Sequence, residues 1–202
     1  MNLYLASEFH SERYHLKIET NFPQDGAVTI VFLEGRYEGV WDLMLRIPAW
    51  AAETTPVFVN GAGAARGKAG SYIKIRRDWK TGDTVRLILP FTLRTEEYTG
   101  FDQSETNQPR YAVFHGPVLL ALTGGFDEKD IPRLPFAACD AGKFLVSRGK
   151  GCFEVKGRPF FEFKPYYEVQ DELFTCFPVF DWKAGVHTPQ LAVERYNLER
   201  AF

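Results

Sequence analysis

The sequence predicts an all-β protein made of two consecutive antiparallel β-sandwich, jelly-roll-like domains, residues 1–93 and 94–202. Three observations predict it. Short segments in which apolar and polar residues alternate recur along the 202-residue chain, the period-2 pattern of half-buried strands. Turn-forming Gly, Pro, Asn and Asp punctuate these segments at close spacing, as in β-sandwiches. Helical periodicity is confined to the tail, where Leu191, Val193, Arg195 and Leu198 fit a short amphipathic helix.

Taken in order, Tyr14, Leu16 and Ile18 alternate with His15, Lys17 and Glu19 and predict the first strand. Pro23 and Asp25-Gly26 turn the chain, and Val28, Ile30 and Phe32 share one face of a strand over residues 28–33. Gly35 and Gly39 flank a short link to Trp41. Residues 43–90 then read as four strands. Leu43, Leu45 and Ile47 alternate with Met44 and Arg46 until Pro48, which cannot donate to a ladder. Residues 57–59 form a short strand closed by Asn60-Gly61, a strong hairpin signal. The small, Gly-rich residues 62–70 read as a flexible hairpin loop; a phosphate loop is excluded because GxxxxGK[ST] is absent. Ile73 and Ile75 face one way along residues 72–77, Thr81-Gly82-Asp83 turns the chain, and Val85, Leu87 and Leu89 line the last strand.

Residues 95–109 are polar and lack an apolar period, which predicts a linker or loop between two β-units. Residues 111–125 are strongly apolar and are broken by Gly116-Pro117. Residues 126–150 are loop-like up to a short strand over 144–146. Residues 153–155 and 160–163, separated by Gly157 and Pro159, predict a hairpin, and a strand over 173–177 follows.

The order LRIPAWA, VNG, a Gly-Ser-Tyr strand and DWKTGDTVRLILP across residues 43–90 resembles the β-sandwich region of glycoside hydrolase family 127. These are the β-L-arabinofuranosidase-like proteins, formerly a domain of unknown function. Asn2-Leu3-Tyr4, residues 20–23, Arg110-Tyr111-Ala112-Val113, residues 116–121 and Pro165-Tyr166-Tyr167 extend the resemblance over nearly the whole chain. It implies that this is the C-terminal β-sandwich region of such a protein without the catalytic (α/α)6 barrel. In that family the barrel carries a cysteine nucleophile and a zinc ion held by cysteines and a glutamate. No position here matches those residues, so no catalytic, cofactor-binding or metal residue is carried over, and zinc is implied only for the absent catalytic domain.

Composition narrows the function. A formal net charge of −2 provides no long-range attraction for nucleic acid or an anionic membrane. The longest apolar runs fall far short of the ~20 residues of a membrane-spanning helix. The N-terminal residues lack the basic and apolar regions of a signal peptide. Cys139, Cys152 and Cys176 are odd in number and show no CxxC spacing, which predicts free thiols. His10 and His15 with Glu8 and Glu12 could be assembled into a metal site, but they read as solvated strand and loop residues, because the alternation favours strand over a shared helical face. Glu96, Glu97, Asp102 and Glu105 read as solvated loop carboxylates rather than a glycosidase pair. His115 beside the Gly116-Pro117 break is read as bonding a neighbouring carbonyl or facing a ligand. The aromatic run Phe160, Phe161, Phe163, Tyr166 and Tyr167 reads as core by default.

Trp50 and Trp79 each lie at a strand end and are the candidate carbohydrate contacts, with core packing as the other reading. Two functions follow. The chain is a non-catalytic accessory region that supports the catalytic barrel of the same polypeptide, shapes substrate access or mediates a homodimer. Alternatively, it is an independent carbohydrate-binding or protein-interaction module.

Overall fold

The computed structural model describes residues 1–12, 14–35, 39–51, 54–100, 109–127 and 132–180. The expected tail helix lies outside them. The chain divides into two compact units, Met1–Thr92 and Leu93–Phe202. Among the described residues both are built from strands, with only short helical turns, so the fold is all-β.

The first unit contains β1 (Ser7–His10), β2 (Tyr14–Thr20), β3 (Ala27–Gly35), β4 (Val40–Arg46), β5 (Thr54–Val59), β6 (Ala62–Lys68), β7 (Tyr72–Asp78) and β8 (Thr84–Ile88). Six form a sheet in the order β1-β2-β3-β8-β5-β6, while β4 and β7 pair as a separate ribbon. The alternation read from sequence determines what is buried. Val28, Ile30 and Phe32 of β3 and Val85 and Leu87 of β8 are at most 1% exposed. They pack in one core with Leu43 and Leu45 of β4 and Ile73 of β7, so the ribbon is the second layer of a sandwich. Each fully buried side chain of this size contributes about 1.5–3 kcal/mol on leaving water.

Two turns of the first unit follow their residue types. Asn60 and Gly61, at φ 52° and 79°, make the left-handed two-residue turn between β5 and β6. The small residues after it form strand β6, paired with β5 along its length, and not a flexible loop. Gly67 is the position in it that requires a small residue. A Cβ at that position would lie 2.4 Å from Ile73 Cδ1 and 2.6 Å from Ile47 Cγ1.

The second unit contains β9 (Leu93–Glu97), β10 (Tyr111–His115), β11 (Val118–Thr123), β12 (Arg133–Leu134), β13 (Leu145–Gly149), β14 (Cys152–Val155), β15 (Arg158–Pro165), β16 (Phe174–Thr175) and β17 (Val179–Phe180). Seven strands make one sheet in the order β13-β14-β15-β11-β10-β9, with β16 also on β11. Residues 95–97, expected in a linker, belong to edge strand β9, paired antiparallel with β10. The layer over this sheet is irregular. Leu134, Phe136, Ala141 and Phe180 cover Val113, Leu120, Leu122 and Phe163. They come from β12, β17 and the turns at 135–144. One pair, β12 with β17, runs parallel.

Candidate functional site

The two tryptophans singled out from sequence occupy different environments. Trp79 is 3% exposed. Its indole stacks on Phe32 at 4.7 Å and 3°, and Trp41 packs against both rings at 5.9 and 6.0 Å. This burial corrects the reading of Trp79 as a carbohydrate contact. The turn after it folds the ring into the sandwich, where neither face is available to a sugar. Trp50 is half-buried. It lies 5.3 Å from Phe91, edge to face, and 6.1 Å from Phe22. Phe22 and Phe91 touch at 6.4 Å, so the three rings form one cluster at the edge of the first core.

The family-like motifs VNG and DWKTGD meet in space. Asp83, 7% exposed, accepts from Asn60 Nδ2 at 2.7 Å and from the Lys80 backbone N–H at 2.9 Å. The Arg77 guanidinium lies 3.4 Å away. Burial pushes the Asp83 carboxyl up, but the bonds from Asn60 and Lys80 and the charge of Arg77 outweigh it. The group is held below the usual aspartate range. Asn60 Oδ1 in turn accepts from the Thr84 N–H at 2.8 Å. These bonds fasten the two turns together.

The two partly buried thiols are not activated. Burial pushes Cys176 up to about 11 and also raises Cys152, opposite to what a thiolate nucleophile needs. Cys139 is exposed. Glu96 and Glu97 are successive residues of β9, so their side chains leave opposite faces of the sheet and do not flank one bond. Glu96 is paired with Arg94 at 3.1 Å. Asp102 and Glu105 lie outside the described residues. The carbonyl at the Gly116-Pro117 break accepts from Arg94 Nη1 at 2.6 Å. His115 packs edge-on to Phe153 at 5.0 Å, and burial lowers its pKa. Within the aromatic run, Phe163 is core, whereas Phe160 is 80% exposed and Tyr166 and Tyr167 are 55% and 43% exposed.

One arrangement that the sequence reading set aside is brought together in the fold. Residues 7–10 form a strand that pairs with β2 and sets His10 directly opposite His15. With Glu8 on the same face, one ligating atom from each of the three side chains lies within 4.8 Å of the others. Glu12 is not part of this group. The group contains no cysteine, so it differs in donor chemistry from the cysteine-held zinc that the resemblance implies for a catalytic barrel. Among the described residues, no helix is long and apolar enough to cross a membrane.

Residues 1–91 match the family model of the β-L-arabinofuranosidase GH127 middle domain. The match spans almost all of the first unit. The matched model is that of a middle domain, whereas the resemblance in sequence had implied a C-terminal region. No curated protein matches the chain. Solved structures share the fold, three of them as follows. A glycoside hydrolase aligns with TM-score 0.59 and 20% identity over 83% of this chain and 32% of its own. A GH127 β-L-arabinofuranosidase from Geobacillus stearothermophilus T6 aligns with TM-score 0.58 and 21% identity over 89% of this chain and 33% of its own. A GH127 β-arabinofuranosidase aligns with TM-score 0.54 and 19% identity over 83% and 32%. The chain therefore spans about a third of the length of the structures it resembles.

Proposed function

We propose that this chain is the non-catalytic β region of a GH127-type glycoside hydrolase. In this reading it supports the catalytic barrel of the same polypeptide and helps shape access to the substrate. The observation that carries it is the match of residues 1–91 to the GH127 middle domain, set against solved enzymes about three times as long. The substrate class suggested for the parent is a β-L-arabinofuranoside. Zinc would belong to the barrel and not to this chain.

Two further observations support a supporting role. The thiols that are raised by burial are poor nucleophiles, and the neighbouring carboxylates of β9 diverge. The first unit also carries apolar side chains outward. Leu3 and Leu5 are 70% and 54% exposed on either side of Tyr4, which is buried and donates through its hydroxyl to the Arg46 carbonyl at 2.5 Å. A docked barrel would cover such residues.

The test is turnover of an aryl β-L-arabinofuranoside by the purified 202-residue chain, with and without added zinc. No turnover is expected in either case, and robust turnover overturns the reading. Sedimentation over a range of concentrations should show self-association through the uncovered apolar face. Tryptophan fluorescence titrated with arabinan oligosaccharides addresses the alternative binding module. A saturable change that is lost in Trp50→Ala would favour that module, since Trp50 is the partly exposed indole of the edge cluster.

A further inference from the structure

We propose that Glu8, His10 and His15 bind a divalent transition metal ion of the Zn²⁺ class, and that this ion staples edge strand β1 to β2. The argument starts from register. His10 and His15 are directly opposed across the antiparallel pair, and their imidazoles stack with centroids 3.8 Å apart. Glu8, two residues before His10, projects from the same face because side chains in a strand repeat every second residue. Its Oε2 lies 3.3 Å from His15 Nε2 and 3.6 Å from His10 Nε2.

The two Glu8–imidazole separations suit one ion, once the stacked rings rotate to turn their Nε2 lone pairs toward it. Ligand atoms at Zn–N and Zn–O bond lengths of about 2.0–2.2 Å around a tetrahedral centre are about 3.3–3.5 Å apart. Two imidazoles and one carboxylate favour a borderline ion over Ca²⁺ or Mg²⁺, which take oxygen ligands. Three protein ligands leave the fourth position to water. Glu34 of β3 is in register with His15 and supplies a second carboxylate beside the site. Lys17, opposite Glu8, is the neighbouring cation, and its ammonium is held by Glu19 at 2.9 Å.

A second observation gives the ion something to do. All four residues of β1 are exposed, so no buried side chain anchors this edge strand to the sheet. A cross-strand metal bridge supplies an anchor where the sandwich core does not reach. None of this depends on the proposed hydrolase role.

The experiment is calorimetric titration of the full chain with zinc chloride in a Cys139→Ser background, because the exposed thiol is a competing zinc ligand. One zinc per chain is expected. Loss of a partner behind a ligand already costs roughly 10–100-fold in affinity, so His10→Ala should weaken binding by at least about tenfold. Glu8→Gln, which preserves shape, should also weaken it and serves as the second variant if His10→Ala fails to fold. Zinc should slow amide exchange in β1 of the parent chain. Absence of zinc binding, or binding that is unchanged in both variants, overturns the site. Binding without protection of β1 overturns the staple.

Discussion

Asn60 Nδ2 donates to Asp83 Oδ1 at 2.7 Å and ties the β5–β6 turn to the turn before β8, 23 residues later in sequence. The bond is reciprocated through the backbone. Thr84 N–H donates to Asn60 Oδ1 at 2.8 Å, and Asn60 N–H donates to the Thr84 carbonyl at 3.0 Å. Asp83→Ala would leave the Asn60 amide, the Lys80 N–H and the Arg77 guanidinium without their acceptor. Charge-assisted bonds of this kind contribute about 1.5–3 kcal/mol each at most, so the expected destabilisation is about 2–3 kcal/mol. Urea denaturation of Asp83→Ala, Asn60→Ala and the double variant checks it. The pair should couple by about 0.5–3 kcal/mol, and additive losses would refute a shared network.

The same network predicts an acid-sensitive component of stability. Asp83 is held below its ordinary range in the folded protein, so the unfolded chain takes up its proton first as pH falls. Its contribution is fully present above the ordinary aspartate range and is lost as pH falls through the lower folded value. Denaturation midpoints measured from neutral to acid pH should fall less steeply for Asp83→Asn than for the parent. Parallel curves would show that Asp83 is not involved.

How much of this was legible in the sequence depended on burial. Val85, Leu87 and Leu89 alternate because one face of their strand is sealed in the core, and they were readable. Strand β1 is exposed at every position, so it has no apolar period to read. The opposition of His10 and His15 was hidden with it. Strand β6 was missed for another reason: its Ala and Gly residues carry no apolar period, and at Gly67 Ile47 and Ile73 leave no room for a Cβ. Thr95, Glu96 and Glu97 looked like a linker because edge strand β9 keeps its polar side chains in contact with water. Trp79 sits before a turn, where sequence suggests a rim. Only the three-dimensional path of that turn places the ring between Phe32 and Trp41.

Gly67→Ala tests the close approach of β6. The added methyl would fall within 2.4 Å of Ile73 Cδ1 and 2.6 Å of Ile47 Cγ1, both buried, so the core must shift. Overpacking of this kind costs about 1–3 kcal/mol. A thermal melt of Gly67→Ala should show the loss. Gly63→Ala in the same strand is the control, since nothing lies within 4 Å of its added Cβ, and it should melt like the parent.

Trp79→Ala should cost about 3–5 kcal/mol, as expected for removal of a large buried aromatic side chain. Trp79→Phe should cost much less. The indole Nε1 is buried without a hydrogen-bond partner among the described residues, so phenylalanine keeps the stacking on Phe32 and removes a desolvated donor. Equilibrium denaturation of the two variants separates these effects. An unchanged midpoint for Trp79→Ala would place the ring outside the core.

The three thiols should differ in reactivity in the native protein. Cys139 is exposed, whereas Cys152 and Cys176 are only partly accessible. Burial also raises their pKa values, Cys176 to about 11, which reduces the thiolate fraction on which disulfide exchange depends. Ellman's reagent at neutral pH should therefore label Cys139 quickly and the other two slowly, and denaturant should remove the difference. Cys139→Ser should abolish the fast phase. A fast phase that survives in this variant would mean that Cys152 or Cys176 is activated, and the case against a cysteine nucleophile in this chain would fail.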